Sequence, residues 1–79
     1  MPYNSRAIGI AVARERVRKG YSQEHLSALA GISRSHLVLL ENGRKTARVD
    51  TLWRIAEALE TQPHALLQAA EEIAQRPAE

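Results

Sequence analysis

The chain has no cysteine and no phenylalanine, and its only aromatic residues are Tyr3, Tyr21 and Trp53. The first absence excludes disulfides and thiolate metal sites. Three histidines remain as metal ligands, but His25, His36 and His64 are far apart and share no ligand spacing, so they read as surface residues. No metal or other cofactor is expected. No apolar run approaches the length of a membrane-spanning helix, and the N-terminus lacks the basic, apolar, small-residue order of a secretion signal. A cytoplasmic protein without a membrane partner is the expectation. At 79 residues the chain makes one small domain, and a core this thin leans on disulfides, a metal or a partner. With disulfides and metal set aside, self-association is the remaining staple.

Charge is short in total but uneven in place. The formal net charge is only +2. Up to Arg48, nine basic residues stand against three acidic ones, a local balance of +6; from Val49 onward, two stand against six, a balance of −4. The basic part is suited to a polyanion and the acidic part is not. Solvated helix faces are the plainer explanation of such runs, and the charge pattern alone weighs evenly between the two.

β-branched residues are sparse, while alanine, leucine, glutamate and arginine dominate, so the pattern favours helix over strand. Five helices are predicted. The first runs from Ser5 to about Lys19, with Asn4 or Ser5 as N-cap, Ile8, Val12 and Ala13 as apolar residues and Gly20 as the stop. The second runs from Gln23 to Ala30, capped by Ser22, with an apolar face of Leu26, Leu29 and Ala30. The third runs from an N-cap at Ser33 to Glu41 or Asn42, with Gly43 after it. A basic loop follows to Arg48. The fourth covers Asp50 to Leu59, where Leu52, Ile55, Ala56 and Leu59 form one stripe. The fifth starts at Pro63, a favoured first-turn residue, and ends near Gln75. On it Leu66, Ala70 and Ile73 form one stripe, and Leu67 and Ala74 a second on the flank. One small core needs only the first, so the fifth helix is read as a dimerisation helix. The expected organisation is a single domain over residues 5–75 with a short disordered tail at 76–79.

The second helix, Gly31 and the third helix spell two short helices joined by a tight turn, a helix-turn-helix over about 22–42. Leu26, Leu37 and Leu40 would meet inside its angle. On a helical wheel Ser35 and Leu39, four residues apart, point outward together, flanked by Arg34 and Val38 on one side and His36 on the other. Arg34, Ser35 and His36 can hydrogen-bond base edges or phosphates, and arginine can bond guanine through two hydrogen bonds at once. Outward Val38 and Leu39 suit thymine methyl groups or another protein surface rather than water.

From about Ile8 to Leu67 the sequence resembles the Cro/phage-repressor, or Xre-like, helix-turn-helix family. The matching residues are Arg16 and Gly20 leading into "YSQEHLSALAGISRSHLVLLENGR", then "TLWRIAEAL" and "PHALL". The resemblance implies an all-α, compact five-helix domain of the lambda-repressor-like type. It implies a homodimer on a palindromic double-stranded DNA operator, with the second motif helix in the major groove. Gln23 matches the family's phosphate-clamping glutamine. Ser33, Arg34, Ser35 and His36 match the start of the recognition helix, with Ser33 at the backbone, and Leu39 matches a later base-facing position. Asn42, Arg44, Lys45 and Thr46 match a second backbone-contact region. Arg16 and Glu41 match a structural pair that bridges the first and third helices. Trp53, Leu67, Ala70 and Ala74 are the candidates for the dimer seam, with core packing as an equally weighted alternative for Trp53.

The chain also departs from the family pattern. Ser27 stands where alanine is usual, and it is small enough to fit there. Glu15 occupies an often apolar position, which should thin the core there. Arg48 stands where a serine or threonine often caps the fourth helix, so either Asp50 caps it instead or the helix starts one residue away, and Val38 and Leu39 replace commoner polar choices. Compact members of the family include phage-type repressors, restriction–modification controller proteins and antitoxins that repress their own operons, and the sequence does not choose among them. A second class of reading keeps the fold but docks a protein, such as a toxin or a polymerase subunit, on Val38 and Leu39. An enzyme is rejected: no nucleophile–base pair, phosphate loop or paired carboxylates stands out, so no catalytic residue is named.

Overall fold

The computed structural model describes residues 4–75; the tail expected at 76–79 lies outside the described residues. Five α-helices follow one another: α1 Ser5–Arg18, α2 Gln23–Ala30, α3 Arg34–Glu41, α4 Val49–Ala58 and α5 Pro63–Gln75. The first three start where a polar side chain can take an orphan N–H of the first turn. Asn4 Oδ1 accepts from the Ala7 N–H at 2.9 Å, Ser22 Oγ from the His25 N–H at 2.9 Å and Ser33 Oγ from the His36 N–H at 3.0 Å. Between α2 and α3 the chain reverses at Gly31, whose φ of 74° is a left-handed conformation that a Cβ would strain. The Ile32 N–H closes that turn on the Ser27 carbonyl at 3.0 Å.

α1 packs chiefly on α5 and also on α3, while α2 packs on α4 and α3. The core they share is aliphatic: Leu26, Leu37, Leu40, Ile55, Leu59 and Val12 are its largest fully buried side chains. The three leucines expected inside the motif are thus inside it.

Two expectations about packing are corrected. Leu29 does not belong to the apolar face of α2; it is exposed on a shallow groove beside Tyr21, His25 and Arg54, and Ser27 is buried in the face instead. The reason is angular: Leu26, Ser27 and Ala30 are the residues that α2 turns inward. Burial of Ser27 is tolerated because its hydroxyl donates to the Glu24 carbonyl at 3.0 Å. Ala70 is 5% exposed and belongs to the core of the domain, so it is removed from the dimer candidates. α4 starts at Val49, within the one-residue margin expected around Asp50, with Arg48 as its N-cap.

Arg48 makes no capping hydrogen bond with its side chain, and its charge has the wrong sign for a helix N-terminus. Its ion pair with Asp50, at 3.8 Å on the exposed surface, offsets little of this. Replacing Arg48 by serine is expected to stabilise the domain by about 0.5–1 kcal/mol. The urea midpoint should rise with the slope of the transition unchanged.

Glu15 does not enter the core. It is half-buried and turns back to Arg18, whose guanidinium donates to it at 3.1 and 2.5 Å. That hydrogen bond holds the Glu15 carboxyl below its ordinary value, against a smaller opposing effect of burial. Lys19 likewise bonds Glu60 at 2.7 Å across the ends of α1 and α4, and lowers that carboxyl. Both contributions are present above the ordinary carboxylate range and are lost as pH falls through the lowered values.

Candidate nucleic-acid interface

α3 uses its two faces differently. Leu37 and Leu40 are buried, whereas Arg34, Ser35 and Leu39 are exposed and His36 and Val38 half-buried. Ser33, exposed at the N-terminus of α3, accepts the His36 N–H and keeps its hydroxyl proton free to donate. The outward expectation therefore holds for Arg34, Ser35 and Leu39 and holds in part for His36 and Val38. Arg34, Ser35, Val38 and Leu39 surround a shallow depression of about 320 Å³ on this outer face.

The far end of α3 is held by a group of polar side chains from three helices. Arg16 of α1 grips the Glu41 carboxylate with two hydrogen bonds, Nε to Oε2 at 2.7 Å and Nη2 to Oε1 at 3.1 Å. Its Nη1 donates to the Tyr21 carbonyl at 2.9 Å. The pair expected from the sequence is present, and it is well shielded: the Glu41 side chain is 4% exposed and that of Arg16 15%. A third member was not foreseen. Gln23 Nε2, from the first residue of α2, donates to Glu41 Oε1 at 3.0 Å. Among the described residues no buried side-chain nitrogen or oxygen lacks a hydrogen-bond partner.

This bond places Gln23 in space. It brings the start of α2, where unpaired backbone N–H groups attract anions, to the C-terminal end of α3. The Gln23 amide has a second N–H that Glu41 does not use. Asn42, Arg44, Lys45 and Thr46 follow directly from that same end of α3, and all four are exposed. Among the described residues neither Arg44 nor Lys45 is ion-paired, and neither is Arg34. Thr46 Oγ1 lies 3.5 Å from Ser5 Oγ, which sets the loop against the start of α1. Unpaired cations and free donors thus border the exposed face of α3.

Gly9 is the residue that the sequence reading missed. It is buried in α1, and a Cβ there would stand 2.4 Å from the Leu40 carbonyl oxygen and 2.6 Å from that of Glu41. Two backbones meet at this point with no room for a side chain. The only sequence signal was a glycine in the middle of a helical stretch, where glycine is costly unless packing requires it.

Away from this face, Trp53 is 55% exposed and Leu67 44%, and Ala74 is exposed. Val49, one turn before Trp53 on α4, is also exposed and was not among the seam candidates. Among the described residues no group of three or more histidines, aspartates or glutamates could hold a metal ion, and no helix is long and apolar enough to cross a membrane.

Comparison with known proteins agrees with this geometry. A model of the helix-turn-helix family HTH_3 matches residues 12–66. Over 52 residues, 66% of this chain and 68% of the relative, the sequence is 42% identical to an uncharacterized HTH-type transcriptional regulator, y4dJ, of Sinorhizobium fredii. Among solved structures, the clp gene regulator ClgR of C. glutamicum is similar with a TM-score of 0.88 at 26% identity, covering 99% of this chain and 100% of that one. The restriction–modification controller protein C.AhdI of Aeromonas hydrophila is similar with a TM-score of 0.77 at 31% identity, covering 78% of this chain and 94% of that one.

Proposed function

Since this chain belongs to the HTH_3 (Xre-like) helix-turn-helix family of transcriptional regulators, we propose that it is a sequence-specific DNA-binding regulator that acts as a homodimer on a palindromic operator. The observation that carries the reading is the exposed face of α3. Its Arg34 is unpaired among the described residues, and its C-terminal end is bordered by Gln23 and the Arg44–Lys45 loop. In this reading α3 lies in the major groove. Arg34, Ser35, His36 and Leu39 face base edges. Gln23, Ser33, Asn42, Arg44, Lys45 and Thr46 hold phosphates and set register. Trp53 and Leu67, with Ala74 and Val49, form the seam with a second copy. Residues 5–75 act as one unit, in which α5 serves dimerisation. No catalytic step is involved, and the regulator is read as an intracellular protein without a membrane partner.

Selection from a randomised duplex pool at near-physiological salt tests the proposal. Recovery of a palindrome with half-sites about one helical turn apart supports a symmetric dimer. No enriched sequence would sink the operator reading. The apolar pair Val38 and Leu39 would then favour the second reading, a module that docks a protein such as a toxin, with DNA binding secondary.

Two substitutions separate the assigned roles. Arg34→Ala is expected to cost on the order of 1–3 kcal/mol and to relax preference at one base pair only. Lys45→Ala should weaken binding to all sequences alike and reduce the salt slope by about 1. Affinities measured on the selected and on scrambled duplexes at three salt concentrations distinguish them. Equal losses on both duplexes for Arg34→Ala would remove it from the base-reading set.

A further inference from the structure

We infer that Arg6, in the first turn of α1, holds a phosphate of the operator and carries the backbone-contact surface beyond the helix-turn-helix. The inference rests on the DNA-binding reading above and adds a residue to it. Arg6 is remote from α3 in sequence, and packing brings the two together. A Cβ on Gly43, just past the end of α3, would stand 2.9 Å from the Arg6 Cα and 3.3 Å from the Arg6 Cβ. The Arg6 side chain therefore leaves α1 beside the junction of α3 with the Arg44–Lys45 loop. At the other end of that loop, the 3.5 Å approach of Thr46 Oγ1 to Ser5 Oγ sets the chain against the same turn of α1.

The fold gains little from a cation at this position. Arg6 is exposed, and among the described residues it makes no ion pair. Glu41, the carboxylate at that end of α3, already accepts two bonds from Arg16 and one from Gln23, and its side chain is 4% exposed. Glu15, on the same helix as Arg6, is committed to Arg18. The first turn of α1 holds no acidic residue, and the helix dipole disfavours a positive charge there. A phosphate changes the balance, because a guanidinium can bond two of its oxygens at once. Arg6, Arg44 and Lys45 are then three exposed cations on one edge, supplied by two separate segments. A duplex strand repeats its negative charge along its length, so it can meet all three, whereas a single small anion would satisfy one.

The test uses the full chain and the duplex obtained by selection. Arg6→Gln removes the charge and keeps a long polar side chain. Affinity should fall on selected and scrambled duplexes alike, and the slope of log affinity against log salt should flatten by about 0.9. The loss is then about 3.5-fold greater at about 50 mM salt than at about 200 mM. Arg14→Gln removes another exposed cation of α1, about two turns further along, and should leave the slope unchanged. The thermal midpoint of Arg6→Gln should match or slightly exceed that of the parent, which separates a lost contact from a damaged fold. Methylphosphonate substitution, which neutralises one phosphate at a time, then locates the contact. One position in each half-site should weaken binding of the parent and of Lys45→Ala but not of Arg6→Gln. An unchanged slope in Arg6→Gln, an equal flattening in Arg14→Gln, or no phosphate that Arg6→Gln alone ceases to sense would overturn the proposal while the operator stands. Failure to select any sequence, with parent affinity insensitive to salt, would instead remove the DNA-binding reading beneath it.

Discussion

Gly9→Ala is expected to destabilise the domain by about 3 kcal/mol or more, the upper part of the range for forcing a methyl group into a packed interior. Propensity alone predicts the opposite sign, because alanine is better than glycine in a helix by about 1 kcal/mol. Geometry decides between them. The new Cβ would meet the Leu40 and Glu41 carbonyl oxygens at 2.4 and 2.6 Å. These are backbone atoms at the end of α3, not flexible side-chain tips, so the clash is relieved only if α1 and α3 separate. That movement would also disturb Arg16 and Glu41, which bond across the same two helices. A domain of this size has only about 0.05–0.15 kcal/mol of stability per residue, so the loss would be a large fraction of the whole. Thermal and urea unfolding of the variant would measure it. A variant as stable as the parent would mean that α1 does not approach α3 this closely.

Glu41→Ala should cost about 3 kcal/mol, the low end of the range for breaking a buried ion pair. The cost arises from what is left behind. Arg16 would lose both bonds to the carboxylate while only 15% of its side chain is exposed. It would keep the Tyr21 carbonyl, which is why the low end applies. The sign is specific to removing one partner. Replacing Arg16 by methionine and Glu41 by leucine together should be less damaging than Glu41→Ala, because no charge is then stranded. Urea denaturation of the single and double variants tests this, and a double variant less stable than the single one would contradict it. Glu41→Ala should also free the Gln23 amide. DNA affinity should then fall alike on the selected and scrambled duplexes, since Gln23 is assigned to a phosphate.

The two predictions meet at one place, the C-terminal end of α3. Gly9 allows α1 to lie against it, Glu41 joins it to Arg16 of α1, and Gln23 of α2 shares the same carboxylate. An exposed helix face needs such anchoring, because side chains that point into solvent do little to hold their own helix in place. The fully buried Leu37 and Leu40 supply the rest of that support.

The sequence by itself determined the helices and the motif. Caps and stops such as Ser22, Gly31 and Ser33 act within one turn of chain, and the spacing of Leu37 and Leu40 defines the inner face of α3 by local periodicity. The Arg16–Glu41 pair was legible through family resemblance. The outward placement of Arg34, Ser35 and Leu39 followed from the helical repeat. Only the tertiary structure decided the rest. Whether Leu29 or Ser27 is inside depends on the angle at which α2 meets its neighbours, which no pattern within α2 specifies. Ala70 lies on the face that the domain uses for its own core. Gly9 and the Gln23–Glu41 bond are contacts between segments 31 and 18 residues or more apart in sequence, arranged by packing. Local physics reads along the chain, whereas close approach of two backbones is settled only once the helices are packed.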